Sequence, residues 1–202
     1  MSGACGANHQ RVKLVVVTAG LTVPSSTRLL ADRLTSAVTA QVAADVTVVE
    51  LRDLAVDIAN HLVAGFPSPT LAAALAAVGD ADGVIATTPI FSASYSGLFK
   101  SFFDLFEELP KPVLIAATGG TPRHSLALEH ALRPLFTYLH AIVAPTSVYA
   151  ASADWADPDL AHRIARAAGE LAELMDRHPA VTQPAETVIP FEQQLAALRQ
   201  KP

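Results

Sequence analysis

Short apolar runs that alternate with longer amphipathic stretches constrain the fold of this chain more than any other feature. The first run, Val12–Gly20, is rich in β-branched residues and ends in a glycine, as buried strands often do. Similar runs lie at 46–51, 83–89, 113–120 and 145–150. Most of the intervening stretches repeat apolar residues every three or four positions, which indicates helices. The alternation predicts a parallel sheet covered by helices on both faces.

Five stretches show this helical spacing, and we predict helices over 25–44, 70–82, 96–109, 124–141 and 157–178. Thr70 is the predicted N-cap of the second helix. Pro134 lies inside the fourth and is expected to kink it. Asp157 and Pro158 fit the N-cap and first position of the fifth. The segment 52–69 has no sustained period, so we predict a loop with about one helical turn.

Composition bounds the class of protein. The 202 residues are 51% hydrophobic, which suits one domain with a substantial core. The apolar runs are too short to predict a membrane span, and residues 1–10 lack a signal sequence and are predicted to be a disordered leader. The net charge of −5 argues against a nucleic-acid binder. Cys5 is the single cysteine, so we predict no disulfide, no cysteine-based metal site and a cytoplasmic protein.

A ligand is expected at the carboxyl ends of the strands, where open parallel sheets bind their ligands. The loop after the first strand is rich in hydroxyls and then opens a helix: Thr18, Thr22, Ser25, Ser26, Thr27. Hydroxyls and free N–H groups at a helix start form an anion site, and Arg28 could add a charge contact. An ordinary N-cap with a solvated arginine explains these residues equally well. No dinucleotide or P-loop glycine motif occurs, so the loop suits one monophosphate.

The segment after the third strand, Thr88–Gly97, mixes apolar and small polar residues. Ile90 and Phe91 supply apolar surface, while Ser92 and Ser94 supply hydrogen bonds. That mixture suits a flat heteroaromatic ring with polar edges. Alternatively, Phe91 and Tyr95 pack on the following helix or at a subunit interface.

The loop after the fourth strand contains paired glycines, Gly119 and Gly120. They either let the backbone approach a ligand or serve a turn with positive φ. His124 follows at a helix start, where a histidine more often has a structural role than a ligand-binding one.

These segments resemble one known family. The sequences AGLTVPSSTRLLADRL, TPIFSASYSGLFKSFFDLF and ATGGTPRHSLALEHALRPLF are similar to segments of NAD(P)H-dependent FMN reductases of the flavodoxin-like superfamily. Relatives of this kind include the alkanesulfonate-system reductases and a branch paired with luciferase-like flavin monooxygenases. The similarity covers most of residues 11–198, in the same order.

The resemblance implies a flavodoxin-like three-layer α/β sandwich with a five-stranded parallel sheet of order 2-1-3-4-5. The FMN-binding domain would span 11–178, and 179–202 would be an extension that packs on the domain or on a partner subunit. The implied activity is hydride transfer from NADPH or NADH to FMN, which supplies reduced flavin to a luciferase-like flavin monooxygenase. Since the flavin performs the chemistry, no catalytic side chain and no metal are expected.

The resemblance also implies roles for single residues. The FMN phosphate would be held by Thr22, Ser26, Thr27 and Arg28. The isoalloxazine ring would lie along Pro89, Ile90, Phe91 and Ser92, with its other edge against Thr118, Gly119, Gly120 and Thr121. Tyr95, Arg123 and His124 are weaker candidates for substrate contacts. Many relatives have a basic residue within the phosphate loop, whereas 20–24 contains none, so Arg28 would be its sole charge.

Two other functions stay open: a quinone or azo reductase that keeps its FMN, and a flavodoxin-like electron carrier. The modest charge of −5 argues against a carrier, which usually docks through strong electrostatics. The predicted third helix carries more apolar residues than one core-facing stripe requires: Leu98, Phe99, Phe102, Phe103, Leu105, Phe106. We therefore predict a homodimer or homotetramer, although deep burial of that helix would explain the same residues. The preference between NADH and NADPH is left open.

Overall fold

The computed structural model describes residues 11–178, so the predictions for 1–10 and 179–202 lie outside the described residues. The strands are β1 (Val12–Thr18), β2 (Ala44–Glu50), β3 (Gly83–Phe91), β4 (Ser94–Tyr95), β5 (Pro112–Gly119), β6 (Ile142–Val143) and β7 (Val148–Ala151). The α-helices are α1 (Ser26–Thr39), α2 (Ala55–Ala64), α3 (Pro69–Gly79), α4 (Gly97–Phe103), α5 (Arg133–Tyr138) and α6 (Pro158–Arg177). A π-helical turn, Leu128–Leu132, precedes α5.

The main sheet is parallel and runs β2-β1-β3-β5, with β6 and β7 both paired to β5. When β6 and β7 are counted as one interrupted fifth strand, and β5 as the fourth because the short β4 lies off the main sheet, the predicted order 2-1-3-4-5 is confirmed. Thr18 is in register with Thr87, and Pro89 with Thr118. The loops that follow β1, β3 and β5 therefore leave the sheet at the same edge.

Two apolar cores lie on opposite faces of the sheet. Along β1, Val15 and Val17 face the helices α2 to α5, while Leu14 and Val16 face α1 and α6. This alternation follows from the period of two in a strand. The confirmed prediction of a sheet buried on both faces explains why β1, β3 and β5 read as continuous apolar runs.

The segment predicted as a loop is helical, and that prediction is wrong. A 3₁₀ turn at Leu51–Leu54 leads directly into α2. Ile58 is the single fully buried residue of α2, whereas Val56 and Val63 are exposed. Because the apolar residues do not share one buried face, their spacing gave no helical signal.

One further helix boundary differs from the prediction. Ser68, not Thr70, is the N-cap of α3, and its Oγ accepts from the Leu71 N–H at 3.1 Å. Pro134 lies inside a continuous helical segment, as predicted, because the π-helical turn Leu128–Leu132 runs directly into α5. Proline has no N–H to donate to the preceding turn, and the π-helical turn lies directly before it. The predicted N-cap Asp157 with Pro158 is confirmed.

Helix α4 is shorter than predicted and lies deep in the core. Phe99, Phe102 and Phe103 have no exposed surface. The rings of Phe99 and Phe103 lie 4.7 Å apart, and Phe136 contacts Phe103 edge-on at 4.8 Å between ring centres. The apolar excess of this helix therefore belongs to the core, and it does not support the predicted subunit contact.

Among residues 11–178, no single helix is both long and apolar enough to cross a membrane. One pair, Leu51–Ala64 with Pro69–Gly79, reaches the length and composition only jointly and is bent by 93°.

Candidate functional site

Three loops meet at the carboxyl edge of the sheet. The hydroxyls of Thr27, in the first turn of α1, and Thr118, at the end of β5, share a hydrogen bond of 2.8 Å. Both side chains are buried. The Ala19 N–H donates to the carbonyl of Thr87 at 2.9 Å, which ties the first loop to β3. These contacts hold the loops after β1, β3 and β5 side by side.

The first loop turns tightly into α1. A side chain at Gly20 would overlap with Ser25 Oγ, so a larger residue at this position would displace that hydroxyl. Ser25 is the N-cap, and its Oγ accepts from the Arg28 N–H at 3.2 Å. The N–H groups of Ser26 and Thr27, in the preceding positions of the helix, have no partner within residues 11–178. Free N–H groups at a helix start are suited to an anion.

The predicted phosphate-binding side chains divide into free and engaged groups. Thr22 donates its hydroxyl to the carbonyl of Pro24 at 2.9 Å, and Thr27 is turned toward Thr118. Ser26 is exposed, and its hydroxyl has no hydrogen bond to another described residue. Of the three predicted hydroxyls, that of Ser26 is therefore the one available to a ligand.

Arg28 is already paired with two carboxylates. Its Nε donates to Asp32 at 2.8 Å, and its Nη1 donates to Glu50. The hydrogen bond to Asp32 is the largest factor that raises the pKa of Arg28. Arg52 also donates to Glu50, at 3.1 Å. The positive charge predicted for the phosphate is thus neutralised within the protein.

The end of β3 forms a β-hairpin with β4, where the sequence predicted a connecting loop. Ile90 pairs with Tyr95, and Phe91 pairs with Ser94 across a two-residue turn. Ser92 and Ala93, the turn residues of this primed-type hairpin, have φ angles of 49° and 65°. Left-handed backbone at residues other than glycine costs roughly 1–2 kcal/mol each and is concentrated at functional sites.

The hairpin presents a partly apolar surface. Phe91 is 49% exposed, whereas the earlier part of β3, Gly83 to Thr88, is buried. Ile90 and Tyr95 are half-buried and pack against the core, with the ring of Tyr95 6.0 Å from that of Phe99. Pro89, in register with Thr118, begins this surface beside the loop that follows β5.

The glycine loop after β5 is held by a residue that sequence reasoning missed, Tyr149 of β7. Its hydroxyl donates to the Thr121 carbonyl at 2.8 Å. A side chain at Gly119 would overlap with this hydroxyl and would lie 3.2 Å from Cζ. Burial raises the pKa of Tyr149, so the group stays a neutral donor. Gly120 by contrast faces open space.

Arg123 and His124 lie on an exposed 3₁₀ turn, Pro122–His124, beyond the glycines. With the hairpin residues Ala93 and Ser94 they line a cleft of about 380 Å³. Tyr95 lines a larger, adjoining cleft of about 770 Å³ between α4 and α5, and the two clefts share Ser94, His130 and Ala131. The described residues contain no cluster of His, Cys, Asp or Glu that could hold a metal.

The residues at this edge fit FMN. The unpartnered N–H groups of Ser26 and Thr27 are suited to a phosphate, and the exposed face of Phe91 is suited to a planar ring. Gly119 packs closely against Tyr149 at the end of β5, beside these groups. Leu21 and Val23, in the first loop, add exposed apolar surface nearby.

Comparisons with known proteins agree on one family. The model of the NADPH-dependent FMN reductase family matches residues 12–156. FMN reductase (NADPH) of Pseudomonas aeruginosa is 39% identical over 146 residues, or 71% of this chain and 78% of that protein. NADH-dependent FMN reductase SfnF of Pseudomonas fluorescens is 36% identical over 175 residues, which are 83% of this chain and 94% of that protein.

Solved structures agree as well. An oxidoreductase from Corynebacterium diphtheriae has a TM-score of 0.80 and 43% identity, covering 84% of this chain and 99% of that chain. The apo form of an NADH:FMN oxidoreductase has a TM-score of 0.75 and 27% identity. The match covers 86% of this chain and 92% of that chain. The resemblance expected from the three loop motifs is confirmed. The chain belongs to the NADPH-dependent FMN reductase family, and it is an oxidoreductase that acts on FMN with NADPH or NADH.

Proposed function

We propose that this reductase treats FMN as an exchangeable substrate and supplies the reduced flavin to a luciferase-like flavin monooxygenase. The observation that carries the proposal is the neutralised phosphate loop. Arg28 is paired with Asp32 and Glu50, and Arg52, which donates to the Thr22 carbonyl of this loop, is paired with Glu50 and Asp53. Both arginines at the loop are thus already engaged by carboxylates. Hydrogen bonds in which the donor or the acceptor is ionised are about twice as strong as those between neutral groups. A site without a free cation suits a flavin that must leave after reduction.

In the proposed site, each of the three loops contacts a different part of the flavin. The hydroxyl of Ser26 and the N–H groups of Ser26 and Thr27 hold the phosphate. Pro89, Ile90, Phe91 and Ser92 form the surface on which the ring lies. Thr118, Gly119, Gly120 and Thr121 contact the opposite edge. Thr22, the Thr27 hydroxyl and Arg28 stabilise the first loop and do not contact the phosphate directly.

Bound FMN supplies the redox chemistry by accepting a hydride from the nicotinamide of the donor. The protein itself binds the flavin and orients it. The hairpin fixes the plane of the ring, and the Thr27–Thr118 hydrogen bond fixes the distance between phosphate loop and ring edge. The exposed Phe91 leaves one side of the site accessible to the donor and then to the exit of the product.

We also propose a homodimer or homotetramer that works in the cytoplasm, where the nicotinamide donors are available. Support for assembly comes from α2 and the loop after it, not from α4. Val56, Leu62, Val63 and Phe66 are exposed there, and Val63 is 91% exposed. Apolar groups gathered on one surface commonly mark a contact with another protein.

The experiment measures whether FMN is released. Purified protein is desalted, its absorbance spectrum is taken, and NADPH and NADH oxidation is followed at increasing concentrations of FMN. We expect a colourless protein, turnover that saturates with added FMN, and light from bacterial luciferase coupled to the reaction. Stoichiometric yellow protein whose turnover requires a quinone would instead establish the FMN-holding quinone reductase.

A matched pair of variants tests the phosphate assignment. Ser26→Ala removes the free hydroxyl and is expected to raise the KM for FMN about tenfold, since a hydrogen bond to a charged group contributes about 1.5–3 kcal/mol. Ser36→Ala is the control because Ser36 is exposed on the same helix and bonds only to the Asp32 carbonyl. Equal KM values for the two variants would contradict the assignment.

A further inference from the structure

A cleft whose lining includes one arginine and two histidines opens beside the proposed flavin surface. Its volume is about 380 Å³, and it lies between the tip of the β3–β4 hairpin and the segment that follows the glycine loop. Ala93 and Ser94 form one wall, while Arg123, His124 and His130 line the other. Both walls continue segments that border the proposed flavin site. The cleft thus adjoins the place where a donor stacked on the ring would extend.

The positive charge of Arg123 has no acidic partner in the lining of the cleft. Arg123 makes no hydrogen bond or ion pair with residues 11–178, whereas every other described arginine pairs with a carboxylate or lies over an aromatic ring. No aspartate or glutamate lines the cleft. The nearest acid in sequence, Glu129, is engaged by Arg133 and Ser147.

Such a group of donors recognises a phosphate. A guanidinium matches two phosphate oxygens, and imidazole N–H groups donate to the remaining ones. The phosphate of FMN is assigned to the start of α1, on another loop. Of the two donors used in this family, NADPH carries an additional phosphate monoester on its adenosine ribose, which NADH lacks. At neutral pH a phosphate monoester carries about 1.5 to 2 negative charges.

We propose that Arg123, with His124 and His130, binds the 2′-phosphate of NADPH and makes this enzyme prefer NADPH to NADH. The proposal rests on the proposed flavin site, because the donor must lie on a flavin bound there. It assigns the donor specificity to the segment after β5. The hairpin tip, held by Ser92 and Ala93 in left-handed backbone, forms the opposite wall of the subsite.

The kinetic test uses Arg123→Ala with both donors at saturating FMN. We expect the KM for NADPH to rise about tenfold or more through loss of the charged contact, while kcat and the KM for NADH stay within about twofold. Arg177→Ala is the control, since Arg177 is an exposed arginine at the far end of α6 and is expected to change neither KM. Unchanged NADPH kinetics, or an equal rise for both donors, would overturn the proposal.

A binding test avoids turnover and flavin altogether. Calorimetry of the FMN-free protein compares adenosine 2′,5′-bisphosphate with adenosine 5′-monophosphate. We expect the wild type to bind the bisphosphate about tenfold more tightly and Arg123→Ala to bind the two equally. A preference that persists in the variant, or is missing from the wild type, overturns the subsite. An inactive wild type would contradict the proposed function instead, so the two failures are distinguishable.

Discussion

Replacement of Gly119 by alanine is expected to weaken FMN binding about tenfold or more, because overpacking at a close contact costs about 1–3 kcal/mol. The new Cβ would overlap with the hydroxyl of Tyr149, which holds the Thr121 carbonyl. Either the tyrosine leaves its hydrogen bond or the glycine loop moves away from the flavin. Both changes displace the backbone proposed to contact the ring edge. Titration of the apoprotein with FMN, followed by flavin fluorescence, measures the effect.

Tyr149→Phe provides the matched test of this explanation. It removes the overlapping hydroxyl and leaves a contact of 3.2 Å to Cζ, which a small shift accommodates. The double variant Gly119→Ala with Tyr149→Phe is therefore expected to bind FMN more tightly than Gly119→Ala alone, a non-additive result. If Gly119→Ala binds FMN like the wild type, Tyr149 does not position the loop.

Replacement of Lys111 by methionine is expected to lower the free energy of unfolding by about 2–3 kcal/mol. Lys111 is buried at the amino end of β5, and its Nζ donates to the carbonyls of Val78, Gly79 and Ala81. These carbonyls lie at and just beyond the end of α3, where no helical N–H is available. Burial lowers the pKa of Lys111, and the nearby charges of Asp80 and Asp82 oppose this shift. Methionine fills a similar volume but removes the donor from all three carbonyls, of which Val78 alone keeps another one, the Ala81 N–H at 3.4 Å.

Urea unfolding measures this loss, with Lys13→Met as the control. Lys13 is exposed on β1, and its side chain makes no hydrogen bond with another described residue, so its replacement is expected to change stability by less than about 0.5 kcal/mol. FMN affinity should be retained by both variants because Lys111 lies at the end of β5 opposite the site. A Lys111→Met protein as stable as Lys13→Met would show that the three hydrogen bonds contribute little.

The sheet was predictable because its signal is strong and local. Strands buried on both faces, such as β1 and β5, are continuous apolar runs, and the chain alternates them with helices. The order of the strands came from the family resemblance. Helix α2 escaped prediction because Val56, Leu62 and Val63 face outward and break the helical period.

The meeting of the three candidate loops was also predictable, since it depends on the edge of the sheet where β1, β3 and β5 end. The hydrogen-bond and ion-pair partners of each side chain could not be predicted. Nothing in the sequence shows that Arg28 pairs with Glu50, which lies 22 positions away, or that Thr27 bonds to Thr118 across 91 positions. Tyr149 supports Gly119 from a neighbouring strand, and only its place near the end of that strand hinted at a role.

Hydrogen exchange with and without FMN tests the central claim most directly, since it locates bound flavin on the backbone. The account predicts slower exchange on FMN addition within 20–28, 89–96 and 118–124, the three loops at the carboxyl edge, and no change in α3. Protection confined to other segments, or no protection at FMN concentrations that support full turnover, would contradict the placement of the flavin between these loops.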